Sequence, residues 1–517
     1  MTISWDISEL ANGLRVVTTP VPTAQSVSVN LFVGTGSRAE ERGVQGLAHF
    51  LEHMVFKGSE QRPSAMAIAE AIEGAGGVLN AYTTKEITCF WNHLPFEKLA
   101  LAVDVLADML LHPLLEAEEI ERERSVVQQE IRRNHDQPGV WVGELLAQAI
   151  YGDQPLGWST SGSEETVAAI QRQDFRDYMD AWYVPGNMVV SVAGNVSHAE
   201  VEALARRHFD GRPARAFPSF LPLDSNPPAA QRVATEGRPI TQANVAMGLP
   251  AFPRKDPDRY ALMMFNNLLG RGMSSRLFKE VRERRGLAYS VGSSVSRFFD
   301  TGLLLISAGV APDKLKEAVR VILDELSRLV EERVSEEEMA KVRDYSVGNF
   351  RLGLETAMAL GQRAGELLLT MDEIEPIEVV VEKLRAITAD DILRVAGRVV
   401  RMEKVTLAVV GPEADSGELV ELVAEVGAQH PPEADQPLAD AAPLRTWMER
   451  WSREGFSSIS RSMVRCARAR RCAGSACRPV RWTCFAAARG RRPRWCTPTR
   501  TSASCAICAW TAARRTR

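Results

Sequence analysis

The chain repeats itself, and that constrains its fold more than any other feature. Tyr260-Ala261-Leu262-Met263-Met264-Phe265-Asn266-Asn267-Leu268-Leu269 in the second half stands where Gly46 to Phe56 stands in the first. Val405 to Gly411 likewise matches Asn187 to Gly194. The two pairs are displaced by nearly the same stretch of chain, which points to a duplicated domain. The proline-rich stretch 217–240 between the copies reads as a linker. The expected domains are therefore 1–216 and 241–428, and 517 residues are enough for two cores.

Each copy mixes strands and helices. Leu14 to Thr18, Ser26 to Val33, Val78 to Thr83 and Glu86 to Trp91 read as strands, the last two as a pair. Helices are expected near Ser64 to Gly74, Phe96 to Leu111 and Glu116 to Arg133. Ser197 caps another, which runs through His208. In the second copy Leu303 to Ala308 reads as a strand and Asp313 to Glu332 as a long helix.

The copies differ in one chemically decisive place. The first carries Gly46-Leu47-Ala48-His49-Phe50-Leu51-Glu52-His53-Met54-Val55-Phe56, which reads as one short helix. His49 and His53 are four apart and share a face, with Glu52 beside them. Leu47, Phe50, Leu51, Met54 and Val55 cover most of the remaining surface, so the helix is expected to be buried. Ionisable groups on a buried helix are costly unless something satisfies them. A divalent metal would do so. Two neutral imidazoles bind Zn²⁺, a third protein ligand completes the set, and a water keeps the fourth position. Glu52 then stands beside that water as its general base. The second copy has Met264, Asn266 and Asn267 in its helix and no His pair.

Composition narrows the setting. The N-terminus has no basic region followed by an apolar run, and no stretch approaches a membrane span, so a cytoplasmic enzyme with no membrane partner is expected. The net charge of -4 hides an asymmetry, because Gly455 to Arg517 holds 15 Arg and no acidic residue. The rest therefore carries -19. Seven of the eight Cys lie in that tail, which leaves Cys89 alone in a body that reads as reduced and acidic. The stretch 429–454 turns to Pro, Ala and Asp and reads as a second linker. The tail 455–517 lacks periodicity, and only Cys505 and Cys508 have ligand-pair spacing. Nucleic-acid binding is one reading of so basic a tail. Nothing in it agrees across levels, so it reads as disordered and no nucleic-acid partner is expected.

A third metal ligand can come from Glu121-Arg122-Glu123-Arg124-Ser125-Val126-Val127-Gln128-Gln129-Glu130-Ile131. Glu123 and Glu130 are seven apart, so two helical turns place them on one face. Glu130 can be the ligand and Glu123 a partner that orients another ligand. By itself a charged helix of this kind reads as a solvated face.

Its weight comes from a resemblance. The His helix with Phe56-Lys57-Gly58, then Asn80-Ala81-Tyr82-Thr83, then Glu121 to Glu130 resemble the pitrilysin family of zinc endopeptidases, the inverzincins. The resemblance is to the half-length branch that includes the catalytic subunit of mitochondrial processing peptidase and its bacterial relatives. It implies that His49, His53 and Glu130 hold one Zn²⁺ per chain and that Glu52 is the base. It implies too that Asn80, Ala81 and Tyr82 lie on an edge strand that pairs with substrate main chain. Met273 to Phe278 and Arg282 to Tyr289 resemble the family's C-terminal half. There Arg282 and Tyr289 would contact substrate, Tyr at a developing oxyanion and Arg at a carbonyl or carboxylate. A structural salt bridge and a core tyrosine are the plainer readings of that pair.

The implied fold is α+β: two tandem duplicated domains, each a mostly antiparallel sheet packed with helices, together half of a clamshell chamber. A closed chamber needs four such domains, so a homodimer, or a heterodimer with an inactive homologue, is expected. The implied activity is hydrolysis of peptides or unfolded protein segments. A non-catalytic scaffold or peptide-holding subunit of the same fold is the alternative.

Overall fold

The computed structural model describes residues 3–224, 232–412 and 416–429, so the expectations for 430–454 and for the tail lie outside the described residues. Eleven strands form two sheets among the described residues. The first half supplies β1 (Asp6–Glu9), β2 (Arg15–Pro20), β3 (Ser26–Val33), β4 (Val78–Thr83), β5 (Thr88–Pro95) and β6 (Met188–Gly194). The second supplies β7 (Val233–Gly237), β8 (Ala243–Ala251), β9 (Ala288–Arg297), β10 (Gly302–Val310) and β11 (Thr406–Gly411). Their orders are β1-β2-β6-β3-β5-β4 and β7-β11-β8-β10-β9. Without β1 the two orders are the same. All pairings are antiparallel except β2 with β6 and β7 with β11, which occupy corresponding places.

The helices repeat as well. The first half has α1 (Leu47–Val55), α2 (Ala65–Glu73), α3 (Leu99–Leu111), α4 (Ala117–His135), α5 (Pro138–Tyr151), α6 (Glu164–Ala169), α7 (Arg172–Trp182) and α8 (His198–Phe209). The second has α9 (Arg259–Gly270), α10 (Leu315–Glu331), α11 (Glu336–Leu352), α12 (Ala357–Met371), α13 (Ile377–Ala386), α14 (Ala389–Val399) and α15 (Ser416–Gln429). A π-helical turn, Phe278–Arg284, stands where α2 stands in the first half. Counterpart elements keep nearly the same displacement throughout, from Val78 to Ala288 for β4 and β9 and from Ala117 to Glu336 for α4 and α11. Among the described residues no helix is long and apolar enough to cross a membrane.

Four strands go beyond the sequence reading: β8 and β9 in the second half, together with β1 and β7. β1 is four mostly exposed residues on a sheet edge. β7 falls inside the stretch 217–240 read as linker, which corrects that reading. Its five residues show no alternation strong enough to mark a strand. They are ordered by parallel pairing with β11, at the far end of the second half (Val233 with Leu407 is the pair in the sheet nearest its start, Gly237 with Gly411 the last). Only a tertiary partner identifies such a strand.

Both faces of each sheet are apolar, so each needs two covers. On β3, Val27, Val29, Leu31 and Val33 join the core beneath α1 and α3, while Phe32 faces the other way. The halves cover each other's second face. From α12, Ala364 and Leu368 pack on Val17, Phe32 and Val189 of the first sheet. From α5, Val142 and Leu146 pack on Ala246, Ala408 and Val410 of the second. The approach of α12 is close enough to require small residues, for a Cβ at Gly365 would collide with the Phe32 ring and one at Gly361 with Asn30.

A buried ionic cluster also joins the halves. Arg38, 3% exposed, reaches Glu86 in the first half and Asp300 in the second. It also donates to the carbonyl of Leu221, which precedes β7.

Candidate metal centre

Helix α1 is seated by its apolar residues. Leu47, Phe50, Leu51, Met54 and Val55 are buried, and Phe50 meets Phe175 of α7 edge-on at 5.0 Å. The first N–H groups of a helix lack intrahelical partners. Here Gly46, at φ 91°, has no capping side chain of its own. Glu40 supplies the cap from a distance: its carboxylate accepts from the N–H of Gly46 (2.9 Å) and of Ala48 (2.8 Å). Complete burial pushes the Glu40 carboxyl up to about 8, against the pull of those two donors and of Lys85. The remaining face of α1 presents His49, Glu52 and His53, all partly exposed.

Helix α4 meets this face. Ile120 and Val127 are buried, and Arg124 lies over the Phe50 ring and donates to the carbonyls of Val167 and Ile170. With α4 so fixed, Glu130 faces both histidines. Its Oε2 is 3.8 Å from His49 Nε2 and 3.7 Å from His53 Nε2, and the two Nε2 atoms are 3.2 Å apart. Donors about 2.0–2.2 Å from a tetrahedral zinc ion lie about 3.3 Å from one another. The histidine pair already has that spacing, and the carboxylate is within a few tenths of an ångström of it. Among the described residues this is the one group of three or more His, Cys, Asp or Glu ligand atoms close enough to share a metal. The donor set fits Zn²⁺.

The two histidines are held differently. Glu123, also on α4 and 6% exposed, lies 2.9 Å from His53 Nδ1 and pairs with Lys57 at 2.5 Å. Burial pushes His53 down, but Glu123, with Glu52 and Glu130, outweighs it and leaves the ring above the usual histidine range. Burial likewise raises Glu123, and its bonds to His53 and Lys57 bring it below the ordinary value. An ionised Glu123 fixes the His53 proton on Nδ1 and leaves Nε2 as the lone-pair donor. His49 has no such partner: its Nδ1 is buried without a hydrogen bond. Burial and the neighbouring His53 push it down to about 4, so it is neutral at neutral pH. Glu123→Gln is accordingly expected to weaken zinc binding about 10- to 100-fold with the fold retained. Chelator competition measures this, and an unchanged affinity would contradict the orienting role.

Glu52 is the remaining group on this face. Its Oε2 accepts from Thr83 Oγ1 at 2.5 Å. Burial raises its carboxyl, while the Thr83 bond and His53 work against the rise.

Asn80, Ala81 and Tyr82 lie on β4, whose one side pairs with β5 and whose other side carries no strand among the described residues. Leu79 and Ala81 face the core beneath α1, and Tyr82 faces the layer covered by α12. Arg282 and Tyr289 are brought to each other, and among the described residues neither makes a hydrogen bond or ion pair with His49 or His53. The guanidinium lies 5.5 Å from the Tyr289 ring centroid and 4.8 Å from that of Phe278. Tyr289 is 79% exposed at the start of the edge strand β9, so it is no core tyrosine. In α9 the polar residues are structural: Asn266 accepts from Ser293 of β9, and Asn267 donates to Ser346 of α11.

Sequence reasoning misses Glu40, Lys57 and Thr83 as parts of the site. Lys57 and Thr83 fall within segments that carry the resemblance, but neither has a spacing that announces its contact. Glu40 sits beside Glu41 with nothing to tell them apart until the fold places one of them under α1.

Residues 15–164 match the family model described as insulinase (peptidase family M16), and residues 169–345 match the peptidase M16 inactive domain. An uncharacterized zinc protease of Streptomyces coelicolor is 37% identical over 411 residues, 78% of this chain and 89% of the relative. One of Bacillus subtilis is 34% identical over 404 residues, 78% of this chain and 97% of the relative. Among solved structures, a protease from Helicobacter pylori superposes with a TM-score of 0.74 at 23% identity, over 79% of this chain and all (100%) of that one. A peptidase M16 inactive domain from Pseudomonas fluorescens gives 0.73 at 18%, over 80% and 98%. At these identities the structures show the shared fold of two similar α+β domains.

Proposed function

The chain belongs to the insulinase (M16) peptidase family, and from that premise we propose that it is a zinc-dependent endopeptidase acting on peptides or unfolded protein segments. One observation carries the proposal: His49, His53 and Glu130 converge at metal-ligand spacing with Glu52 on the same helix face. Zinc, when held by those three, supplies a Lewis acid that lowers the pKa of a water and polarises the scissile carbonyl. Glu52 takes the proton of the attacking water and delivers it to the leaving nitrogen. Its burial favours the neutral state it passes through between those two transfers.

The unpaired side of β4 receives the substrate main chain, with Asn80, Ala81 and Tyr82 supplying the backbone groups. Arg282 and Tyr289 contact the bound peptide, the guanidinium at a carbonyl or carboxylate and the phenol at the developing oxyanion. The second half keeps the fold and lacks the ligands, so it serves to bind and enclose. Two copies, or one copy with an inactive homologue, would complete the chamber, in the cytoplasm.

The test is hydrolysis of a quenched-fluorescent peptide library by purified full-length protein with its zinc quantified. About one zinc per chain is expected. A chelator is expected to abolish cleavage, and added Zn²⁺ to restore it. A zinc-replete protein that cleaves nothing would overturn the reading in favour of a peptide-holding subunit.

A further inference from the structure

We propose that Thr83 is the positioning residue for Glu52, and that it ties the general base to the strand on which substrate is received. This rests on the endopeptidase reading above. Among the described residues Thr83 Oγ1 is the sole hydrogen-bond donor to the Glu52 side chain. A carboxylate held through one oxygen keeps its other oxygen as an acceptor, on a residue of the same helix as His49 and His53. Glutamate has three rotatable side-chain bonds, so without that donor it would sample several placements.

Thr83 can hold Glu52 because it is itself rigidly mounted. It is the last residue of β4 and pairs with Thr88 of β5, whose hydroxyl donates to the carbonyl of Thr35 at 2.9 Å. The turn that follows is closed by Thr84, which bonds Ile87 through both N–H and hydroxyl. It is pinned from outside by the N–H of Ser37 to the Thr84 carbonyl (3.1 Å) and of Arg38 to the Lys85 carbonyl (2.7 Å). The next residue, Glu86, is locked by Arg38 and Arg254. The other end of β4 is held by the N–H of Gly77 to the Ile72 carbonyl (2.9 Å), while the Val78 side chain is 53% exposed. A peptide paired along β4 therefore lies on the same fixed strand that carries the hydroxyl aiming the base.

The experiment compares Thr83→Val and Thr83→Ala, which lose the hydroxyl, with Thr83→Ser, which keeps it. Each is measured for zinc content, for kcat and KM on a cleaved peptide, and for calorimetric affinity toward a peptide hydroxamate, whose acidic proton the base must accept. Loss of the hydroxyl is expected to lower kcat about tenfold or more, with KM within twofold and zinc content unchanged. Hydroxamate affinity falls in parallel, and the Ser variant matches the wild type. The proposal is overturned if the Ser variant falls with the other two, or if Val and Ala retain wild-type kcat and hydroxamate affinity. Should Val fail to fold, the smaller Ala side chain decides by the same measures. Wild-type protein that holds zinc and cleaves nothing defeats the endopeptidase reading alone, because the hydroxamate affinities still report on Thr83.

Discussion

Glu52→Gln will remove hydrolysis and leave the zinc in place. The reason is a division of labour on one helix face. His49, His53 and Glu130 provide the ligand atoms, and Glu52 is not among them. Gln has nearly the same shape and keeps an oxygen that accepts from Thr83, so the hydrogen bond at 2.5 Å in the wild type has a successor. It also removes a carboxyl whose ionised form burial disfavours, so the substitution should not lower stability. What Gln cannot do is accept a proton from the attacking water. General-base catalysis contributes about 10²- to 10⁴-fold, and a loss of that size in kcat is expected. Zinc stoichiometry, a thermal melt and kcat on one peptide decide the matter together. A variant with full zinc, an unchanged melt and kcat within tenfold of wild type would show that the base lies elsewhere.

The parts of this site that can be read from sequence are those whose geometry is local. His49 and His53 share a face because a helix repeats about every 3.6 residues, and Glu123 and Glu130 share one for the same reason. The duplication is visible in one helix and one strand because both are buried and therefore strongly apolar. Contacts between elements leave no comparable trace. Glu40 reaches α1 across a loop, and β7 is a strand by virtue of β11, a partner at the other end of its half. The exchange of α5 and α12 between the sheets is equally silent in the sequence. An apolar helix face specifies that it will be covered, and not by which half. Gly361 and Gly365 are explicable only once α12 lies against Phe32 and Asn30. Glu86 shows the same limit. It reads as the first residue of a strand, yet β5 begins at Thr88 and Glu86 belongs to a turn that two arginines lock.

Those arginines carry the second large effect, and Arg38→Ala is expected to destabilise the protein by about 3–5 kcal/mol. Arg38 makes four hydrogen bonds: one to Glu86 (2.9 Å), two to Asp300 (2.8 and 2.7 Å) and one to the Leu221 carbonyl (3.0 Å). Its guanidinium also lies 4.3 Å from the Phe299 ring centroid, and Phe299 stacks on Phe220, which stacks in turn on Trp182. One side chain thus joins both halves and the segment between them. Alanine leaves Asp300 with the N–H of Leu223 as a donor but no cation, and leaves Glu86 dependent on Arg254 and the N–H of Phe299. The cost lies in stranding buried charge, so removing the charge as well should recover part of it. Arg38→Met with Asp300→Leu is therefore expected to unfold at higher denaturant than Arg38→Ala, despite carrying one more substitution. The chemistry should be spared. The backbone N–H of residue 38 survives the change, so the bond to Lys85 that steadies the turn beyond Thr83 survives with it. A lowered denaturation midpoint with near wild-type kcat, the reverse of the Glu52 result, is the expected signature. A midpoint shift worth less than about 1 kcal/mol would mean that the exchanged helices α5 and α12, and not this cluster, hold the halves together.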